Sequence, residues 1–338
     1  MRQYSLFSLF LFILLSFSFL KKQTFVTNTT DSWPKPLHDY TKVSNYEAKF
    51  QIGRALFYDP LLSSDSTISC ASCHLSFTGF AHVDHSLSHG INGQIGHRNA
   101  PALINIAWSP FFHWDGMFTS LENQSVSPIE NPKEMNMPIA KLIQKLNSSN
   151  KYRGLFYKSF GDSLINNDNI QKSLAVFVSS LVSKNSKYDQ VMTKNSGIYF
   201  TDQEKRGYEI FKKDCASCHT EPLFTNHEFK SNGLLPDSIL NDFGRYQVSG
   251  NQKDSFLFKV PTLRNIQFTF PYMHDGRFLN LKEVIKHYSD LTNNSHHLSR
   301  ELYEIKSYND HQKKDLLSFL YTLSDKEFLF NKRYQFPQ

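Results

Sequence analysis

Cys70-Ala71-Ser72-Cys73-His74 and Cys215-Ala216-Ser217-Cys218-His219 are one pentapeptide written twice, and the two copies use all four cysteines of the chain. A C-x-x-C pair can add across the two vinyl groups of a porphyrin, and the histidine that follows presents imidazole to its iron. The alternatives are a pair of redox disulfides or a Cys₂His₂ zinc centre. A redox C-x-x-C needs no adjacent histidine, and a zinc ribbon brings its halves closer in sequence. Two identical copies that leave no thiol over read as two covalent c-type haems, with Cys70, Cys73 and His74 holding one and Cys215, Cys218 and His219 the other.

The 338 residues suffice for two domains of ordinary size, each with its own core. Lys plus Arg number 37 against 31 Asp plus Glu, a formal charge of +6 that haem propionates would lower. The basic residues are scattered in runs no longer than two, which gives nucleic-acid binding no support. The 30 Phe suit domains that wrap large apolar macrocycles, and equally an ordinary Phe-rich core. At the N-terminus Arg2 precedes an apolar run from Leu6 to Leu20, and Lys21-Lys22 follow. A run of about fifteen residues fits the apolar centre of a signal peptide better than a full membrane span. No small-x-small cleavage site is evident, so residues 1–22 read as a signal peptide or an N-terminal anchor. Either serves export, and the expected location is periplasmic, on the side of the membrane where c-type haem is attached.

The sequence around the pentapeptides also repeats. Gly53-Arg54-Ala55-Leu56-Phe57 precedes the first and Gly207-Tyr208-Glu209-Ile210-Phe211 the second, each predicting a helix with a glycine and an aromatic four residues on. Thr201 with Glu204 predicts a capping box for the second of these helices. Leu174 to Leu181 and Leu316 to Leu323 share the pattern Leu-x-x-Phe-x-x-x-Leu, an apolar stripe at helical period. Cys215 lies 145 residues after Cys70, and Leu316 lies 142 after Leu174. The expected fold is mainly α, with two class I cytochrome c-like domains packed around a shared interface and one covalent haem in each. The domains are expected at 23–190 and 191–338, with turn chemistry at Asn195-Ser196-Gly197 near the boundary. Residues 23–40 read as an extended lead-in. The 96 residues from Phe77 to Lys172 show few helical patterns and read as ordered loops around a haem.

The loops between the haem segments carry a resemblance. Arg98-Asn99-Ala100-Pro101, Trp114-Asp115-Gly116, Asn131-Pro132-Lys133-Glu134-Met135, Pro261-Thr262-Leu263-Arg264-Asn265 and Pro271-Tyr272-Met273-His274-Asp275-Gly276 resemble, in order, the bacterial dihaem cytochrome c peroxidases and their relative MauG. The resemblance spans nearly the whole chain beyond the N-terminal segment. It implies a peroxidatic N-terminal haem and an electron-transferring C-terminal haem, and hence reduction of hydrogen peroxide to water. The electrons would come from a small donor protein such as a cytochrome c or a cupredoxin. A homodimer is also implied.

Residue by residue, the resemblance makes His74 the proximal ligand of the first iron and His89 its distal ligand, with His82, His85 and His97 as ordinary loop histidines nearby. Glu134 matches the catalytic glutamate, Gln124 a glutamine beside it, and Trp114 the tryptophan between the haems. Read without the resemblance, Glu134 is a carboxylate at a helix start, with Asn131-Pro132 as N-cap and first turn. His219 is the proximal ligand of the second iron. The sixth ligand there is Tyr288, at the end of Leu281 to Tyr288, with Met273 as the alternative and His287 behind it. Methionine would raise that haem's potential, whereas a phenolate oxygen would lower it. A tyrosine at this position is the MauG pattern, and it opens a second reading, oxidation of a protein or small-molecule substrate. A third reading is a dihaem electron carrier without peroxidase turnover. The resemblance also implies a calcium ion held by Asn99 and the backbone oxygens of Thr269 and Pro271. His274 and Arg264 are expected at haem propionates or at the interface.

Overall fold

The two glycines singled out by the repeat sit where two helix pairs cross. The structure is a computed structural model that describes residues 33–194, 197–292, 296–305 and 307–337. The signal or anchor segment, most of the lead-in and part of the 195–197 turn lie outside the described residues. Helix α1 (Tyr46–Tyr58) is followed by α2 (Cys70–Cys73), α3 (Leu121–Glu130), α4 (Ile139–Asn147), α5 (Asn150–Phe160) and α6 (Asn167–Ser179). Next come α7 (Lys187–Met192), α8 (Asp202–Asp214), α9 (Tyr246–Ser249), α10 (Leu281–Ser289), α11 (Asp310–Tyr321) and α12 (Lys326–Leu329). Among the described residues the sheet is confined to β1 (Phe229–Lys230) paired antiparallel with β2 (Phe258–Lys259).

Helix α1 crosses α6, and α8 crosses α11. At the first crossing a Cβ on Gly53 would stand 2.0 Å from the Ser173 carbonyl oxygen; at the second, one on Gly207 would stand 2.0 Å from that of Asp315. Only hydrogen fits there. The stripe phenylalanines Phe177 and Phe319 pack beside the same two glycines, and both are fully buried. Thr201 and Glu204 form the expected capping box at the start of α8.

Two expectations need correction. The stretch 77–172 contains α3, α4 and α5, built on stripes such as Leu142/Leu146 and Tyr152/Phe156 that are fully or almost fully buried. Polar residues crowd these helices and mask their period, and Pro128 lies inside α3. Asn131 does not open a helix either. It caps the C-terminus of α3, and Glu134 lies in the turn that follows.

Residues 35–338 pack as one unit. Arg98 ties its two halves, donating one nitrogen to Asp115 (2.6 Å) and a fork of two to Asp242 (2.6 and 2.8 Å). Residues near 334 return to the first half. Arg333 pairs with Glu47 at 2.6 Å, Tyr58 donates to the Tyr334 carbonyl at 2.7 Å, and Tyr334 donates to that of Ser180 at 3.0 Å. Arg264 is wholly buried and forks onto Asp189 of α7, with both contacts at 2.8 Å, and also bonds the Pro222 carbonyl. Its side chain is thus an internal brace between α7 and the second haem segment. Arg264→Met should cost about 3–5 kcal/mol, the usual penalty for stranding one member of a buried pair, measurable by chemical denaturation of the haem-loaded protein.

Candidate haem sites and an adjoining cavity

Both C-x-x-C-H segments orient their histidine in the same way. Ser69 and Ser72 form a capping box that starts α2, and the His74 amide closes the turn on the Cys70 carbonyl at 2.9 Å. The second segment is a turn rather than a helix: Cys215 caps α8, and the His219 amide again reaches back four residues to the Cys215 carbonyl, at 2.9 Å. His74 Nδ1 lies 2.7 Å from the Phe80 carbonyl. His219 Nδ1 lies 3.1 Å from the carbonyls of both Phe224 and Pro261. A carbonyl at Nδ1 fixes the tautomer and leaves the Nε2 lone pair for a metal. Burial pushes both imidazoles down to about 4, so both are neutral, the state that ligates. The four thiols are unpaired, and burial pushes those of Cys70 and Cys215 up to about 12. Among the described residues no three His, Cys, Asp or Glu side chains converge as a zinc centre would require. The donor set fits a covalently tethered haem at each segment.

A cavity of about 580 Å³ is lined by Cys73 and His74, by Gln124, Pro128 and Glu134, by Trp114 and by residues of the second half. Glu134 is largely buried, which raises its carboxyl above the ordinary range, while a 2.7 Å hydrogen bond donated by Asn131 Nδ2 opposes the rise. Gly90 lets the Ser88-His89-Gly90 segment lie against this turn, since a Cβ there would stand 2.1 Å from the Lys133 carbonyl oxygen. Ile91 N donates to the Glu134 carbonyl at 2.8 Å. His89 therefore sits beside the glutamate's chain, and its carbonyl lies 3.5 Å from Cys73 Sγ. Its ring packs on His85, 4.2 Å between centroids, and does not line the cavity. Trp114 donates from Nε1 to the Asn99 carbonyl (2.9 Å), and its own carbonyl accepts from Lys259 N (2.7 Å), so it stands at the junction of the halves. Asn99, Thr269 and Pro271 border the same cavity, and Asn99 Nδ2 donates to the Ser86 carbonyl.

Near the second segment, Tyr288 is half-buried close to Cys215 and Cys218, and desolvation pushes its phenol up to about 12 while a side-chain hydrogen bond with Asn232 opposes this. Asn232 Nδ2 also lies 3.2 Å from Met273 Sδ. The two candidate ligands thus meet at one asparagine. His287 Nε2 is 2.9 Å from the Asn232 carbonyl and so is turned to the backbone. His274 stacks on Phe258 at 3.7 Å.

A second repeat escaped the sequence reading. Pro101-Ala-Leu-Ile-Asn105 recurs 160 residues later as Pro261-Thr-Leu-Arg-Asn265, and Asp115-Gly116 as Asp275-Gly276. Asn105 and Asn265 both adopt left-handed backbone, φ 56° and 57°, and matching bridges join Phe112 to Phe118 and Tyr272 to Phe278. Leu121 and Leu281 open α3 and α10. On this spacing the partner of Tyr288 is Pro128, which has no donor atom in its side chain, and the partner of Met273 is His113. Aligning the chain with itself at 160 residues, rather than at the haem spacing of 145, exposes this.

Two C-x-x-C-H segments with imidazoles posed alike, on a mainly helical chain built twice, define a c-type haem protein of the two-centre kind. Residues 47–197 match the di-haem cytochrome c peroxidase family. The chain is 36% identical over 240 residues to the cytochrome c551 peroxidase of Nitrosomonas europaea, covering 70% of this chain and 71% of that protein. It is 33% identical over 286 residues to the methylamine utilization protein MauG of Methylorubrum extorquens, covering 81% and 78%. Among solved structures, a MauG-like protein associated with microbial copper homeostasis superposes with a TM-score of 0.79 at 28% identity, covering 90% of this chain and 97% of that one. The chain belongs to the di-haem cytochrome c peroxidase family, which includes proteins named MauG. It is an oxidoreductase, and the family implies two c-type haems.

Proposed function

We propose that this chain is a dihaem peroxidase that reduces hydrogen peroxide to water with single electrons from a small cytochrome c or a cupredoxin. The observation that carries the reading is a buried carboxyl, Glu134, lining one cavity with His74. Bound haem supplies the redox chemistry and the site where peroxide is reduced. His74 presents a neutral nitrogen. Pro128 offers no competing donor on the wall where the second half has Tyr288. Glu134 accepts a proton from one peroxide oxygen and returns it to the other, and Gln124 orients the substrate beside it. Trp114, hydrogen-bonded into both halves, fits the electron path between the centres. The halves 23–190 and 191–338 are read as two cytochrome c domains. Asn99, Thr269 and Pro271 share one cavity, which supports a calcium ion there. Export to the periplasm rests on residues 1–22.

Tyr288 favours a second reading, MauG-like oxidation of a protein or small molecule, because a phenol rather than a thioether would set the second haem's potential. Tyr288→Met should raise that potential in spectroelectrochemical titration and give a visible spectrum of thioether type; an unchanged potential would remove Tyr288 from the iron. Stopped-flow mixing with peroxide, followed by a reduced cytochrome c, separates the three readings. A peroxidase oxidises the donor at each turnover. A MauG-like oxidase reacts with peroxide and leaves the donor reduced, while a carrier shows only slow bleaching.

A further inference from the structure

The cavity wall contributed by the second half holds two basic side chains, His227 and Lys259, for which the described residues supply no acidic partner. Both ring nitrogens of His227 are buried, and neither is hydrogen-bonded. Lys259, on β2, is paired in register with Phe229, two residues beyond His227. Its main-chain nitrogen bonds Trp114, but no carboxylate among the described residues engages its ammonium group. Asp115 is taken up by Arg98, and Glu134, which also lines the cavity, is held by Asn131. Burial without a partner pushes Lys259 down to about 8 and His227 to about 4. Buried basic groups left in this state are costly, and an anion between them would relieve both.

Which anion is indicated by what else borders the space. His227 and Lys259 line the same cavity as Cys73 and His74, whereas Cys215, Cys218 and His219 do not border it. His113 lines the same cavity and lies within electrostatic reach of both His74 and Lys259. We propose that His227 and Lys259 form a carboxylate-binding site, and that its ligand is a propionate of the haem tethered at Cys70 and Cys73. The second half then completes the first half's cofactor site. This rests on the haem-bearing reading of the chain.

The test uses the full-length protein matured with haem and follows each haem separately by spectroelectrochemical titration. A cation beside a propionate favours the ferrous state, so Lys259→Met should lower the first haem's potential. At the wild-type midpoint the ferrous-to-ferric ratio of that haem should fall at least threefold while the second haem stays put. Lys259→Arg should keep the wild-type value. His227→Asn provides an independent variant if Lys259→Met does not mature, and should shift the propionate bending band of the first haem in resonance Raman spectra. A shift confined to the second haem, or no shift in either, would overturn the proposal. So would a wild-type potential that moves with added phosphate or acetate at constant ionic strength, because the site would then be open to a free anion. Fewer than two haems per polypeptide in a pyridine haemochrome assay would instead sink the haem-bearing reading itself.

Discussion

Glu134→Gln should cut peroxide turnover by about 10²–10⁴-fold, the range expected when a positioned acid-base group is lost, while both haems remain bound with unchanged Soret bands. The amide keeps the size of the side chain and the hydrogen-bonding link to Asn131, so the variant tests proton transfer rather than packing. The pH dependence follows from the same burial. A carboxyl raised by desolvation keeps its proton at a pH where an ordinary glutamate has lost it. If ionised Glu134 takes the first proton, activity should fall as the pH drops through that raised value, above the usual carboxylate range, and the limb should vanish in Glu134→Gln. Turnover within twofold of wild type would remove Glu134 from the chemistry and leave it as a structural carboxyl.

A large loss of stability is also expected from a single added methyl group. Gly207→Ala places Cβ 2.0 Å from a main-chain oxygen of α11, an atom that cannot rotate away. The α8–α11 crossing must open, at a cost at or above the upper end of ordinary overpacking, about 3 kcal/mol. The gain in helix propensity from glycine to alanine, about 1 kcal/mol, does not offset it. Gly53→Ala should behave alike at the α1–α6 crossing. Gly154, in the middle of α5, is the control: a Cβ there meets nothing within 4 Å. Gly154→Ala should therefore be neutral or stabilising by roughly 0.5–1 kcal/mol. Thermal unfolding of the haem-loaded variants would check all three, and equal behaviour of Gly154→Ala and Gly207→Ala would refute the close-approach account.

What could be read in advance follows how local the signal is. The pentapeptides, the capped start of α8 and the glycine-aromatic pairs Gly53/Phe57 and Gly207/Phe211 depend on residues a few positions apart, and the structure places them on the expected turns and helices. Helices α3 to α5 were obscured because their buried stripes are diluted by Asn, Ser and Lys. Around Glu134 the residue types point the other way: Asn-Pro suits a helix start, whereas here it follows a helix end. The shared cavity of Trp114, Asn99, Thr269 and Pro271 is visible only in the fold, since the two segments that supply them are more than 150 residues apart; the resemblance implies only a tryptophan between the haems and a calcium site. The basic pair at His227 and Lys259 has no signal in the sequence at all. Only the folded positions show that no acidic side chain among the described residues partners them.

The return of Arg333 and Tyr334 to Glu47, Tyr58 and Ser180 has a consequence for biosynthesis. Helix α1 acquires these neighbours only once residues 333 and 334 have been made. Haem attachment at Cys70 and Cys73, as proposed, can precede that moment, but the finished packing around α1 cannot. A fragment stopping near residue 190 would therefore be an unfinished object rather than an autonomous half, and dissecting this molecule by truncation would remove support from the part being kept.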